Sequence, residues 1–289
     1  MRFLDLFSGI GGFALAADRV LPEAECVGFS EIDRNAIRIY EEMFPGHPNL
    51  GSIVDIRRSP PEADIVFGGF PCQDLSAAKL GREGLKGARS GLFFALVDVI
   101  LNSQAPDFVI ENVGTMRQAD RDEIGATLER AFGRTVFLIN INSKLVSAQQ
   151  RSRYYWTTFP VRQPDPVGIT VADIIEPPGR VPEKMYLSER ALAYMSRPYK
   201  TREDHWFWAT DARDMPKALA VVANFRKGVP YNVVIDLQGR ARHWMTVELE
   251  RLQTFPDGWT EGVAYTARCK ALGNAVTVAV IEHILEELT

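Results

Sequence analysis

Four short segments carry residue types that could do chemistry. The first is Gly68-Gly69-Phe70-Pro71-Cys72-Gln73-Asp74-Leu75-Ser76, directly after an apolar run. A loop cysteine there is a better nucleophile than a core cysteine, because a thiolate needs solvation or a positive neighbour. The second is Phe108-Val109-Ile110-Glu111-Asn112-Val113, whose carboxylate could handle protons beside such a thiol. The third is Gln149-Gln150-Arg151-Ser152-Arg153. Its alternating arginines fall on one side of a strand start and could hold a phosphate, a base carbonyl or a carboxylate. The fourth is Phe7-Ser8-Gly9-Ile10-Gly11-Gly12-Phe13. Its glycines let the backbone approach a ligand, and the helix that follows offers free N–H groups. Glu31, at the end of the next strand, is placed for two ribose hydroxyls, as in nucleotide-binding doubly wound folds. Asp55 adds an acid before the third strand.

Taken singly, each segment has a plainer reading. A lone cysteine is usually a small buried residue, as assumed for Cys26 and Cys269. Glu111 could cap a helix, the arginines could salt-bridge a strand, and the glycines could simply make a tight turn. The glycine spacing is not the G-x-G-x-x-G of dinucleotide binders.

The elements that must position these residues alternate. Strands are expected at Phe3–Phe7, Cys26–Phe29, Asp64–Phe67 and Phe108–Ile110, then at Thr135–Ile141 and Tyr154–Phe159. Helices are expected after Gly12, from about Arg34 to Met43, at Gly91–Leu101 and at Asp122–Phe132. This rhythm argues for an α/β fold, a doubly wound, mostly parallel sheet with helices on both faces. Near Pro164 the composition changes, and prolines then punctuate the chain to Pro230. A smaller irregular domain is read over 178–255, after a first domain at 1–177. In the remaining 256–289, the apolar helix Val276–Leu288 is expected to return to the first domain.

Composition sets the outer bounds. With 289 residues, 46% hydrophobic and 24% charged, the chain can bury a sizeable core without disulfides or a structural metal. Three cysteines without a C-x-x-C pair point away from a zinc site and suit a reducing compartment. Met1-Arg2-Phe3-Leu4-Asp5 does not read as a signal peptide, and no apolar run reaches the roughly 18 residues of a membrane span. A cytoplasmic protein is expected, nucleoid-associated if the source is prokaryotic. The formal net charge of −4 means that any nucleic-acid surface is a local basic patch.

In this order the segments resemble the cytosine-C5 DNA methyltransferases. Pro-Cys-Gln, Glu-Asn-Val and Gln-x-Arg-x-Arg carry the resemblance, with Glu248–Pro256 and Gly273-Asn274-Ala275-Val276 completing it across nearly the whole chain. The resemblance implies the S-adenosylmethionine-dependent methyltransferase fold with a target-recognition domain. It implies a cofactor site for S-adenosyl-L-methionine, leaving as S-adenosyl-L-homocysteine. Phe7, Gly9, Ile10 and Gly12 would line it, Glu31 would bind the ribose, and Asp55 and Ile56 the adenine. Pro71, Leu92, Asn274 and Ala275 would complete the pocket. Cys72 would attack cytosine C6, Glu111 hold N3 and the exocyclic amine, Arg153 meet the base carbonyl, and Arg151 support the catalytic loop. The base would be flipped out of duplex DNA. No metal is implied. A cognate restriction enzyme is an expected partner, and monomer or homodimer stays open. The stretches Gly84–Phe94 and Ser147–Trp156 also look similar to the animal de novo branch.

The chain departs from the family pattern twice in its last blocks. Ala275 stands where the family usually has Ser, so it could offer only backbone to the cofactor. The usual Arg-x-Leu-Thr appears as Arg242-His243-Trp244-Met245-Thr246, with the arginine displaced. DNA contacts are expected from Lys79, Arg82, Lys86 and Arg89 after the cysteine, from Asn224, Arg226 and Lys227, and from Arg242 in a cluster with Arg240 and His243. Two other readings compete. The related transfer-RNA branch carries a Cys-Phe-Thr signature that this chain lacks. A catalytically dead binding partner would be expected to lose the Pro-Cys loop, the glutamate or the cofactor glycines, and all are present here.

Overall fold

The computed structural model describes residues 1–71, 91–195, 209–223 and 233–288. In chain order its first half holds β1 (Arg2–Leu6), α1 (Gly12–Val20), β2 (Glu25–Ser30), α2 (Arg34–Met43), α3 (Ile53–Ile56), β3 (Ile65–Gly69), α4 (Gly91–Asn102), β4 (Asp107–Val113), α5 (Gln118–Phe132) and β5 (Phe137–Asn142). There follow β6 (Gln149–Gln150), β7 (Ser152–Thr157), α6 (Val171–Ile174), α7 (Glu189–Met195), β8 (Ala209–Asp211), β9 (Ala218–Leu219), β10 (Val233–Ile235) and β11 (Ala241–His243). The chain closes with α8 (Thr246–Leu252), α9 (Tyr265–Asn274) and α10 (Val278–Glu286).

The chain divides into two compact units. One comprises Met1–Asn142, Ser152–Pro164 and Val278–Thr289, the other Ser143–Arg151 and Asp165–Thr277. This division crosses the chain more often than the segments 1–177, 178–255 and 256–289. Only from Val278 onward does the chain rejoin the first unit, where α10 packs on α1 and Glu282 pairs with Arg19 at 2.6 Å.

The first unit is built on a six-stranded sheet in the order β2-β1-β3-β4-β7-β5. The first four strands are parallel, while β7 runs antiparallel to both β4 and β5. Strands such as Arg2–Leu6 and Ile65–Gly69 are apolar nearly throughout because helices cover both faces of the sheet. Leu4, Leu6 and Val66 join Phe93, Leu96, Ile110 and Trp156 in one core. Strand β4 extends through Val113, so Glu111 and Asn112 lie within it and not after it. The reason is β7, which pairs with β4 from Val109 to Val113. The first turn of α5 is polar, Gln118-Ala119-Asp120-Arg121, and the apolar period therefore misses it. The second unit holds the three-stranded sheet β11-β10-β8 and the parallel pair β6-β9, separated by short helices and turns.

One buried residue of β1 breaks the apolar rule. Asp5 is fully buried, and among the described residues neither carboxyl oxygen has a hydrogen-bond partner within normal reach. Burial holds this carboxyl well above the usual carboxylate range, and the nearby charge of Glu31 adds to the effect. The folded chain then keeps a proton that the unfolded chain has released. Stability contributed at Asp5 is therefore lost as pH rises above the unfolded carboxylate value of about 4. Asp5→Asn should gain stability over the parent as pH rises from about 4 to about 8, measured by urea unfolding. A difference independent of pH would contradict this.

Candidate functional site

The parallel strands end along one edge of the sheet, and the expected site residues of the first unit gather there. The turn after β1 alternates through the left-handed region, with φ of 54° at Phe7, 56° at Gly9 and 84° at Gly11. At Gly11 a Cβ would meet the rings of Phe44 and Tyr40 at 3.0 and 3.1 Å, whereas a Cβ at Gly9 would point into open space. The turn thus leaves its backbone approachable at Gly9. Glu31 fixes it: one carboxylate oxygen accepts from the Gly9 N–H at 3.0 Å. The other accepts from Ile32 and Asp33 at 2.7 and 2.8 Å. Asp33 then caps α2 by accepting from Asn35 and Ala36.

Ile32 was not singled out from the sequence. It is 75% exposed, unusual for a large aliphatic side chain, and it lies next to Glu31. The available signal was a β-branched apolar residue between two acids just past a strand. Asp55 is exposed on the short helix α3, with Ile56 half-buried after it. Pro71 and Leu92 are also half-buried, while Ile10 and Gly12 are buried, and the Ile10 side chain belongs to the core. This set suits a nucleoside: acceptors for ribose hydroxyls, an exposed apolar face for a purine, and an open glycine turn.

Two strands further along, Glu111 on β4 meets Arg153 on β7. The guanidinium Nε lies 2.8 Å from the Glu111 carboxylate, and both side chains are mostly buried. Their proximity follows from the register. Val113 is opposite Arg153 and Glu111 opposite Tyr155, which places Arg153 diagonally across from Glu111 on one face. Two glycines allow it. Gly69 faces Glu111 across β3 and β4, and a Cβ there would stand 3.1 Å from the Glu111 carboxylate. At Gly114 a Cβ would meet the Ser152 carbonyl oxygen at 2.7 Å, and the Gly114 N–H donates to that oxygen. Asn112 between them is buried; its side-chain amide donates to the Phe70 carbonyl at 3.0 Å.

Cys72 lies outside the described residues, two positions beyond Phe70. The same holds for Lys79, Arg82, Lys86, Arg89, Asn224, Arg226 and Lys227. Of the other cysteines, Cys26 and Cys269 are both buried and free of disulfides. Burial, reinforced by the charge of Asp5, pushes the Cys26 thiol up to about 12, which disqualifies it as a nucleophile near neutral pH. Among the described residues no group of three or more His, Cys, Asp or Glu could hold a metal ion. No helix among them is long and apolar enough to cross a membrane.

The second unit is organised by buried polar groups. Arg151 donates to the carbonyls of Val221, Gly273 and Ala275 at 2.7, 3.1 and 2.8 Å. The last two are carbonyls at the end of α9 that have no partner within the helix. Gln253 donates to Leu272 and Ala275 from the same side chain. Gln149 donates to Gln253 and accepts from the Val221 N–H. Gly273 is needed because a Cβ would fall 2.3 Å from the backbone of Val222 and Ala223. The expectation for Ala275 is corrected here: its N–H is given to Ala271 and its carbonyl accepts from both Arg151 and Gln253. Ala275 has no backbone polar group left for a cofactor. Asn274 beside it is exposed.

Arg242 is a second correction. Expected at a DNA surface, it is fully buried and bidentate to Glu248, at 2.9 and 2.6 Å. Glu248 also accepts from the N–H groups of Met245 and Glu176. The displaced arginine thus serves the fold, joining β11 to the start of α8. A basic residue on a three-residue strand reads from sequence as exposed; only its buried partner reveals otherwise. Arg240, two residues earlier, stays at the surface against Glu183 and the Tyr186 ring.

The chain is similar to known proteins along its whole length. A family model described as C-5 cytosine-specific DNA methylase matches residues 1–289. The type II methyltransferase M.NgoBI of Neisseria gonorrhoeae is 30% identical over 97% of this chain and 90% of its own length. M.NlaX of Neisseria lactamica is 28% identical over 99% and 96%. Among solved structures, Entamoeba histolytica EhMeth superposes with a TM-score of 0.75 at 16% identity, covering 100% of this chain and 97% of that one. The S. pombe Dnmt2 methyltransferase gives 0.74 at 17%, covering 99% and 97%. These last two establish the likeness of fold.

Two sets of substitutions test the supports. Replacing Arg242 by Met leaves the Glu248 charge buried and unpaired, and should destabilise by about 3–5 kcal/mol in urea unfolding. Arg240→Ala, at an exposed pair, should cost about 1 kcal/mol or less. Gly114→Ala, against backbone, should cost about 1–3 kcal/mol. Gly69→Ala, against a movable carboxylate, should cost less than Gly114→Ala. The reverse order in either pair would contradict the contacts described.

Proposed function

The chain belongs to the C-5 cytosine-specific DNA methylases, and from that premise we propose that Cys72, Glu111 and Arg153 together carry the methylation of cytosine C5 in duplex DNA. The observation that carries this reading is the Glu111–Arg153 pair, held at 2.8 Å on the sheet edge where β3 runs into Pro71 and Cys72. C5 of cytosine is a poor nucleophile. Addition of the Cys72 thiolate to C6 moves the ring electrons onto C5, N3 and the carbonyl, so that C5 can take a methyl group. One Glu111 oxygen shares a proton with N3 while the other accepts from the exocyclic amine, and Arg153 donates to the carbonyl. Loss of the C5 proton then restores the double bond and expels the thiolate.

S-adenosyl-L-methionine supplies the electrophilic methyl group. The Phe7–Gly12 turn, Glu31, Ile32 and Asp55 are the residues of the first unit that would hold it: Glu31 at the ribose, Ile32 and Ile56 against the adenine, Asp55 at its amine. A free thiol has a pKa of about 8.5, so Cys72 needs help from its surroundings or from the substrate. The base reaches the site by leaving the stack. The second unit serves as the target-recognition part. The relatives' designation as type II methyltransferases supports a restriction–modification role with a cognate endonuclease, acting in the cytoplasm.

The test is methyl transfer from labelled S-adenosylmethionine to mixed-sequence duplex DNA, with the products digested to bases. The expected product is 5-methylcytosine. Cys72→Ser should reduce transfer to background, and Glu111→Gln should lower kcat by roughly 10²–10⁴-fold. Transfer to matched RNA but not DNA, or transfer that survives Cys72→Ser, would overturn the reading.

A further inference from the structure

The contact between Asn112 and Phe70 has a consequence for the thiol. Asn112 is 1% exposed, and its Nδ2 donates to the Phe70 carbonyl oxygen at 3.0 Å. Its own Oδ1 accepts from the Val113 N–H at 2.8 Å, which fixes the amide's orientation. The carbonyl it holds belongs to the peptide plane between Phe70 and Pro71. Proline locks its own φ near −65°, and it also confines the residue before it to extended backbone. Once that plane is held, the ψ of Pro71 is the single soft dihedral left before the nitrogen of Cys72. Phe70 is anchored from its other end too: its ring is buried and lies 5.1 Å, centroid to centroid, from the Phe93 ring.

We propose that Asn112 is a positioning residue, which fixes the Phe70–Pro71 peptide plane relative to Glu111 and so aims the thiol of Cys72 at the base that Glu111 holds. This rests on the catalytic reading above and deepens it. Asn112 does not touch the reacting atoms. It adjoins Glu111 on β4, so one stretch of strand carries both the group that holds the ring edge and the clamp on the nucleophile's loop. The aim matters because thiolate addition needs sulfur within bonding approach of C6, and a misplacement of about 1 Å can cost roughly 10²-fold in rate.

The experiment separates attack from methyl transfer. Duplex DNA of mixed sequence, tritiated at cytosine C5, is incubated with enzyme and no cofactor. Thiolate addition at C6 lets C5 take a proton from water; loss of the tritium and expulsion of the thiolate then release label into solvent. Wild-type methyl transfer, measured separately, tests the catalytic reading by itself. For Asn112→Ala, both the exchange rate and kcat should fall by about 10²-fold, while cofactor and DNA affinities stay within about threefold of the parent. Asn112→Asp keeps the acceptor for Val113, replaces the donor to Phe70 by an oxygen and so turns that contact from attractive to repulsive. It should show the same pattern and serves as the readout if the alanine variant does not fold. Exchange within about threefold of wild type in a folded variant would overturn the proposal, as would equal losses of affinity, exchange and kcat.

Discussion

The Arg153–Glu111 ion pair exists because β7 enters the sheet backwards. Had β7 continued the parallel order, its arginine would emerge at a different height from the end of β4. The antiparallel register instead puts Arg153 diagonally opposite Glu111, and bidirectional pairing of β7 with β4 and β5 leaves little freedom to slip. Two absences of side chain protect the contact. Gly69 leaves room for the carboxylate, and Gly114 lets the end of β4 approach Ser152. A mostly buried carboxylate and guanidinium held in this way form a rigid edge with both donors and acceptors. That is what a flipped pyrimidine requires of a protein, since its ring edge carries a carbonyl, a ring nitrogen and an amine side by side.

The second unit solves a different problem by similar means. The end of α9 leaves carbonyls without helical partners, and buried side chains supply the donors. Arg151 spans from these carbonyls to Val221, and Gln253 and Gln149 link the same region through their amides. Every donor here matters because a buried polar group without a partner is costly. Arg151 and Gln149 thus look like chemistry in the sequence and bind buried backbone in the structure. Glu248 with Arg242 repeats the pattern at the start of α8.

Much of the fold was legible because it rests on local patterns. Buried strands read as apolar runs, and the turn after β1 announces itself through glycines. Glu31 and Glu111 were singled out because an acid just past an apolar run is conspicuous. What stayed hidden depends on pairing between distant segments. That Glu111 lies inside β4 is set by β7, some forty positions later, and nothing near Glu111 signals it. Arg242 and Arg151 were read by residue type; their burial is decided by Glu248 and by the end of α9. Ala275 looked free to give its backbone because a sequence does not show that Ala271, Arg151 and Gln253 already use it. Ile32 escaped notice for the opposite reason: its exposure shows in the sequence only through the acids on either side of it.

In the proposed mechanism one base edge meets Glu111 and Arg153 while Cys72 bonds to its C6. Duplex DNA with 5-fluorocytosine at its target positions would test it most directly. Fluorine at C5 cannot leave as a proton does, so the covalent species should persist after methyl transfer and can be isolated and crystallised. The expected adduct has a bond from Cys72 Sγ to C6, with Glu111 on N3 and the amine and Arg153 on the carbonyl. An adduct on Cys26 or Cys269, or a trapped base whose edge faces other residues while the Glu111–Arg153 pair stands apart, would contradict it.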